Sequence, residues 1–164
     1  MRYRTALVLL LASKSSFACL MTPPAQFTPP DELIARTENI ALARVVRADA
    51  ASNGWEVLYT FETTKQLKGT HRKAFQILGG EAIWETSNHR FNEHFDEAFW
   101  NDHNGRVFHG TSCRIRPGFA VGGTYLIFLD KPYHSKSFEM ILIKDGPADK
   151  KDKWLQYVEQ RTGH

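Results

Sequence analysis

An alternation of apolar and polar side chains is the feature that most restricts how this chain folds. The segment Trp55–Leu67 reads WEVLYTFETTKQL. Four large apolar residues recur at every second position, and the residues between them are mostly polar: Trp55, Val57, Tyr59 and Phe61. A period of two residues is that of a β-strand with one buried face. The segment therefore predicts a long antiparallel strand whose buried face begins at Trp55.

Four further segments have strand composition, and turn residues separate them: Asn39–Ala50, Lys73–Leu78, Thr124–Asp130 and Phe138–Lys144. Ser52-Asn53-Gly54 joins the first two strands of the chain as a predicted hairpin. Arg44 interrupts the alternation of the first strand, so its buried face stays undetermined. Thr124–Asp130 is almost continuously apolar, as is typical of a central strand buried on both sides.

Two helices are predicted outside the strands. Lys150–Arg161 is amphipathic, because Trp154, Tyr157 and Val158 are spaced for one helical face. Near the start of the chain, Asp31 follows two prolines and is predicted to cap a short helix over Glu32–Thr37.

The stretch between the third and fourth strands departs from this pattern. Residues 81–109 contain no convincing strand and hold four of the seven histidines. Loops of this length are uncommon in compact domains, so we predict an insertion that is functional or partly helical. Within it, Glu93–Asn101 would form two helical turns that stack Phe95 on Phe99. The pattern as a whole predicts a mainly β, small Greek-key barrel with this insertion after strand three and a C-terminal α-helix.

The first eighteen residues have the character of a secretory signal peptide. Arg2 and Arg4 precede the apolar run Ala6–Ala12, and the small residues Ser16 and Ala18 precede Cys19. The apolar run is too short for a permanent membrane span. The alternative is a buried N-terminal helix. On the first interpretation, residues 1–18 are removed and residues 19–164 form a single exported domain, periplasmic or extracellular.

Charge argues against a nucleic-acid partner. Lys and Arg number 21 against 18 Asp and Glu, which gives a net charge of +3. The predicted leader holds Arg2, Arg4 and Lys14, so the mature chain is neutral. A neutral domain with mixed charges offers no surface that follows a phosphate backbone.

The two cysteines, Cys19 and Cys113, have three interpretations in an exported chain. In an oxidising compartment they pair, and by the chain-entropy model so long a loop contributes about 4–5 kcal/mol. Alternatively, Cys19 is the first mature residue and accepts a lipid anchor, although Ser16 stands where lipoprotein signals usually carry Leu. The third interpretation is two free thiols.

Two stretches resemble the netrin-like module of the tissue inhibitors of metalloproteinases. They are ETTKQLKG (Glu62–Gly69) and CRIRPGFAVGGTYLIFL (Cys113–Leu129). The likeness extends over Cys19–Lys144 and is greatest to exported bacterial proteins of that superfamily. It implies a five-stranded OB-fold barrel and a disulfide between the N-terminal cysteine, Cys19, and Cys113. In the animal inhibitors the first cysteine chelates the protease zinc, but their Cys-x-Cys start is not kept here, where the third residue is Met21.

The insertion holds the only candidates for a metal site. His89 and Glu93 are four residues apart, and His94 and Glu97 are three apart, so each pair would share a helical face. No H-E-x-x-H motif is present. The alternative is that these histidines are ordinary surface or hydrogen-bonded residues, and we expect no cofactor.

Other residues of the insertion could contact a partner. Trp84 and Trp100 are large rings of the kind that anchor interfaces, or they pack the insertion on the barrel. Arg106, together with Arg114 and Arg116, could pair with carboxylates such as Asp96 or Asp102.

The chain has none of the nucleotide or nucleophile motifs G-x-S-x-G, P-loop or G-x-G-x-x-G. We therefore predict an exported, non-enzymatic binding or structural protein of the cell envelope, with an unknown protein or envelope ligand as partner. The first alternative is an inhibitor-like protein that acts through Cys19. The second is a metal-dependent enzyme that uses the histidine-rich insertion.

Overall fold

The computed structural model describes residues 21–81, 94–101, 105, 113–142 and 151–164. After a single 3-10 turn at Pro24–Gln26, the elements are α1 (Pro30–Arg36), β1 (Ile40–Ala50), β2 (Val57–Lys68), β3 (Ala74–Gly79), α2 (Glu97–Asn101), β4 (Thr124–Phe128), β5 (Phe138–Met140) and α3 (Lys153–Thr162). No helix within these ranges is long and apolar enough to cross a membrane. The predicted leader, residues 1–18, lies outside them.

The five strands form one open antiparallel sheet in the order β3-β2-β1-β4-β5. The mainly β class, the five strands and the C-terminal helix are confirmed. Among the described strands, no hydrogen-bonded pairing joins β3 to β5, so the sheet is not closed through its strands.

Strand β1 is bent by irregularities in its pairing with β2. Val45 pairs with Phe61 and Arg47 with Thr60, so Val46 is an additional residue between them, and 40% of it is exposed. A second irregularity follows Leu42, whose carbonyl oxygen accepts a hydrogen bond from Thr64 Oγ1 at 2.9 Å. Such bulges increase the local twist of a strand and bend it.

Apolar side chains cover both faces of the central strands. One cluster joins the sheet to all three α-helices and consists mainly of Leu33, Ile34, Ile40, Leu42, Phe99, Leu126, Phe128, Trp154 and Val158. The other lies on the opposite face and consists mainly of Ala43, Val45, Tyr59, Phe61, Ile77, Ile115, Phe119, Tyr125, Ile127 and Phe138. Alternate residues of β4 supply the two clusters, which confirms that this strand is central and buried.

Trp55 is not part of either core, contrary to the alternation of its segment. It lies in the β1–β2 turn and is 84% exposed, and β2 begins only at Val57. The side chain of Asn53 holds this turn, because its Oδ1 accepts hydrogen bonds from the backbone N–H groups of Trp55 and Glu56, each at 3.1 Å. Tyr59 and Phe61 are buried as predicted.

The helix ends also differ from prediction. Asp31 lies inside α1, which begins after Pro29 without a side-chain cap, and its carboxylate instead binds Tyr157 and Arg161 of α3. The side chain that caps a helix is Asp152, at the start of α3. Phe95 and Phe99 do not stack, because Phe95 is 51% exposed whereas Phe99 is buried in the core.

Candidate binding cleft

A cleft of about 630 Å³ opens between two loops that border the sheet. One wall is the segment that begins at Cys113, and the other is the loop Lys131–Tyr133, which follows β4. Glu56 of the β1–β2 turn and Leu78 of β3 complete the rim. We refer to this region as the cleft.

The first wall is fixed because it packs on the open sheet. Ile115 and Phe119 are buried in the core, and Gly80 N–H donates a hydrogen bond to the Pro117 carbonyl oxygen at 3.1 Å. Gly79 approaches this carbonyl so closely that a Cβ atom would collide with it. The wall therefore lies directly against the end of β3.

Hydrogen bonds from the N-terminal part of the chain position both walls from behind. Gln26 Nε2 donates to the Cys113 carbonyl oxygen at 2.7 Å. Arg36 Nη2 donates to the carbonyl oxygens of Ala25 at 2.7 Å and Pro132 at 3.3 Å. The N-terminal segment thus contacts both sides of the cleft. Cys113 itself has a left-handed backbone, with φ of 57°, which is unusual outside glycine and is often found at functional sites.

The cleft carries an excess of positive charge. Arg114 and Arg116 are exposed on either side of the buried Ile115, so their side chains leave the segment in the direction opposite to the core. Lys131 lies on the other wall, with Nζ 5.6 Å from the centre of the Tyr133 ring. Burial, together with the nearby carboxylate of Asp130, raises the pKa of Tyr133, so its hydroxyl stays neutral at physiological pH.

Glu56 is the one acidic side chain that lines the described part of the cleft, and its Oε2 accepts a hydrogen bond from Asn53 Nδ2 at 2.6 Å. Within the described residues, Arg114 and Arg116 form no ion pair with a carboxylate. Their predicted pairing with Asp96 is therefore not what the structure shows, and Asp102 lies outside the described ranges.

The sulfur of Cys113 lies 3.8 Å from the Met21 carbonyl oxygen. Met21 follows Cys19 by two residues, so the start of the described chain lies beside Cys113. Cys19 is itself outside the described residues, and its pairing, lipidation or free state stays a prediction.

A second group of ionisable side chains is closed to solvent. His94 is 2% exposed, and its Nδ1 lies 2.6 Å from Asp152 Oδ2, while its Nε2 lies 3.2 Å from Glu139 Oε2. Burial alone would lower the pKa of His94, but the hydrogen bonds and charges of Asp152 and Glu139 outweigh it and raise the pKa to about 9. At neutral pH the ring is therefore an imidazolium that donates to a carboxylate on each side.

This arrangement does not resemble a metal site. Both ring nitrogens of His94 are occupied by carboxylates, and they point away from each other, so the three groups do not converge on one position. Among the described residues, no group of three or more His, Cys, Asp or Glu side chains could hold a metal ion. Glu97, the predicted partner of His94, is exposed, and His89 and Glu93 lie outside the described ranges.

Lys136 adds a second buried cation near this group. Its side chain is fully buried, and Nζ lies 4.2 Å from the centre of the Phe99 ring. The same ring packs on His94, with centroids 4.8 Å apart. The two cations pack against the Phe99 ring, and His94 also binds two buried carboxylates. Together these contacts form a structural network that connects α2, β5 and α3.

Trp100 packs against the C-terminal helix. Its ring lies 5.6 Å from Trp154 and 4.9 Å from Tyr157, and its indole N–H donates to the His94 carbonyl oxygen at 3.3 Å. Of the two roles predicted for Trp100, these contacts agree with packing of the insertion against the rest of the domain. Trp84 and Arg106 lie outside the described residues.

Sequence reasoning did not find the cleft, although one signal for it was present. The alternation Arg114-Ile115-Arg116 indicates an extended segment with two cations on one side. Lys131 and Gln26 belong to the same site only through contacts across the fold, since Gln26 and Cys113 are 87 residues apart.

No family model, curated protein or solved structure matches this chain.

Proposed function

We propose that this chain is an exported, non-enzymatic binding protein of the cell envelope, and that the cleft is its ligand site. The observation that carries the proposal is a preformed cleft with cations that are not neutralised by the described chain. Clefts that combine apolar walls with a few convergent polar groups are the usual form of binding sites. The exposed Trp55, which precedes Glu56 in the chain, is a large rigid ring of the kind enriched at interfaces.

An OB-type barrel is the architecture we propose for the scaffold. The pairs β1–β2, β2–β3, β1–β4 and β4–β5 are all neighbours in such a barrel, and the bulged first strand pairs with two others. Only the contact between β3 and β5 is lacking for closure, and the Cys113–Phe119 wall packs at the free end of β3. The resemblance to netrin-like modules, whose barrels bind other proteins, is in keeping with this architecture.

Export with covalent attachment of the N-terminus is the second part of the proposal. The proximity of Met21 to the Cys113 sulfur supports a disulfide from Cys19, because the two intervening peptide units can span such a gap. Expression of the full chain in a Gram-negative bacterium, followed by fractionation and intact mass measurement, tests this directly. We expect an envelope-fraction product that begins at Cys19 and is lighter than the dithiol by two hydrogen atoms, the two protons and two electrons that the oxidising compartment removes. A lipid mass or a retained leader would contradict it.

The binding function is tested by selection from a random peptide library displayed on phage. The oxidised mature protein is the target, and a Leu78→Arg, Tyr133→Ala double variant, altered on two sides of the cleft, is the counter-target. We expect ligands that bind the wild-type protein at least tenfold more tightly than the variant. A library that yields no cleft-dependent ligand, with both proteins folded by circular dichroism, would refute the proposed function.

Metalloproteinase inhibition through Cys19 is a second candidate. The observation that favours it is again the position of Met21 beside Cys113, since this would present a free α-amine at Cys19 close to the cleft. The test is inhibition of a panel of zinc metalloproteinases by mature protein with and without one extra residue before Cys19. Inhibition that the extra residue abolishes would support this function, whereas inhibition of neither form would exclude it.

A further inference from the structure

We propose that the cleft recognises an extended acidic segment of a partner protein, with carboxylates on alternate residues that pair with Arg114 and Arg116. This inference rests on the proposed binding function and names the chemistry of its ligand. It follows from the charge of the cleft, the spacing of the two arginines and the apolar surface beside them.

Charge gives the first step. Among the described lining residues, Arg114, Arg116 and Lys131 stand against one carboxylate, that of Glu56, which already accepts a hydrogen bond from Asn53. The predicted mature chain is neutral overall, so this excess is local. Unneutralised cations around a concave surface attract an anionic partner and accelerate its association.

Spacing gives the second step. Arg114 and Arg116 flank a buried residue in an extended segment, so their Cα atoms are about 6.5–7 Å apart and their side chains share one side. An extended peptide with acidic residues two positions apart presents its carboxylates at the same interval. Each guanidinium can then form two hydrogen bonds with one carboxylate. Two adjacent acidic residues of an extended peptide point to opposite sides, so they cannot pair with both arginines at once.

The apolar surface gives the third step. Exposed ion pairs alone add little affinity, so a ligand must also bury apolar area. Leu78 is 49% exposed on the rim, and Pro132 and Tyr133 line the opposite wall. A peptide with apolar side chains on the same side as its acidic residues satisfies both requirements. The three cations that line the described part of the cleft are too few to follow a nucleic-acid backbone.

The test uses three labelled peptides with capped ends. The first is Leu-Thr-Glu-Thr-Glu-Thr-Leu, whose acidic and apolar side chains share one side in either chain direction. The second, Leu-Thr-Glu-Glu-Thr-Thr-Leu, has the same composition with adjacent acids, and in the third both Glu residues are Gln. Fluorescence anisotropy with oxidised mature protein should give at least tenfold tighter binding for the first peptide than for either other, and binding should weaken as salt rises.

Variants of the protein complete the test. Arg114→Gln combined with Arg116→Gln should weaken binding of the first peptide at least tenfold. Arg72→Gln combined with Lys73→Gln, which also removes two positive charges but from the exposed β2–β3 turn, should change it less than twofold. Unchanged thermal midpoints for these exposed substitutions would show that the loss is not one of folding.

Three results would overturn the inference. They are equal binding of the first two peptides, absence of binding by all three, and displacement of the first peptide by inorganic pyrophosphate at a similar concentration, which would indicate a small-anion site. If the phage selection yields cleft-dependent ligands without acidic residues, the binding function stands and only this inference fails.

Discussion

One carboxylate oxygen of Asp152 lies 2.6 Å from His94 Nδ1, while the other accepts hydrogen bonds from the backbone N–H groups of Trp154 and Leu155. A single side chain thus caps α3 and fastens it to the segment before α2. The two oxygens perform separate functions, so substitutions can separate them.

Stability should depend on pH through His94. Its pKa rises from 6.5 in the unfolded chain to about 9 in the folded protein, so folding favours the protonated ring. The contribution is fully present below pH 6.5 and is lost as pH rises towards 9; its full size is on the order of 3 kcal/mol. We expect the free energy of unfolding in urea to fall between pH 6.5 and 9 in wild type. His94→Gln should flatten that slope, whereas His71→Gln, at an exposed position, should retain it.

The two oxygens of Asp152 can be distinguished with Asp152→Ser and Asp152→Ala. Serine keeps a helix cap but loses the carboxylate that binds His94, whereas alanine loses both. We expect the alanine variant to be about 1 kcal/mol less stable than the serine variant in urea unfolding. In a His94→Gln background the effect of serine should shrink, while the difference between serine and alanine persists. Equal stability of the two variants would contradict a capping role.

Phe119 should be among the residues most sensitive to truncation. It is 1% exposed, and its ring centroid lies 4.9–5.5 Å from those of Tyr59, Phe61, Tyr125 and Phe138. Phe119→Ala should cost about 3–5 kcal/mol in the free energy of unfolding. Trp55→Ala removes a larger ring, but that ring is 84% exposed, so the cost should stay within about 0.5 kcal/mol. A comparable loss in both variants would place Trp55 in a core.

Adjacent glycines at the end of β3 should respond differently to alanine. A Cβ at Gly79 would collide with the Pro117 carbonyl oxygen, whereas nothing lies within 4 Å of one at Gly80, and neither residue has a positive φ. Gly79→Ala should therefore destabilise the protein by about 1–3 kcal/mol and move the wall that carries Arg114 and Arg116. Gly80→Ala should be nearly neutral in thermal unfolding. Similar effects at both positions would show that the segment around Pro117 can shift to accommodate a Cβ atom at Gly79.

Local patterns in the sequence sufficed for the strands. The alternation around Tyr59 and Phe61 and the apolar run of β4 depend on neighbouring residues alone, and both were predicted correctly. The alternation failed at Trp55. Asn53 holds Trp55 in a turn, so the strand begins two residues later than the alternation predicts. It also gave no warning of the bulge at Val46, because an additional residue in one strand is defined only by its partner.

Contacts between distant residues could not be predicted in this way. Glu139 and Asp152 follow His94 by 45 and 58 residues, and nothing in the insertion indicates them. Asp31 had the residue type and position of a cap, yet Tyr157 and Arg161 bind its carboxylate from across the fold. The candidate site likewise required the fold, because its two walls come from loops separated by β4.

The alternation of Arg114, Ile115 and Arg116 makes the proposed recognition surface separable from the packing that holds the wall in place. The exposed arginines are the side chains proposed to contact a ligand, whereas the buried Ile115 anchors the wall. The arginines can therefore be substituted without disturbing that anchor. Replacing both arginines with acidic or aromatic residues would give a family of variants that share one stable scaffold and differ in the ligands they select.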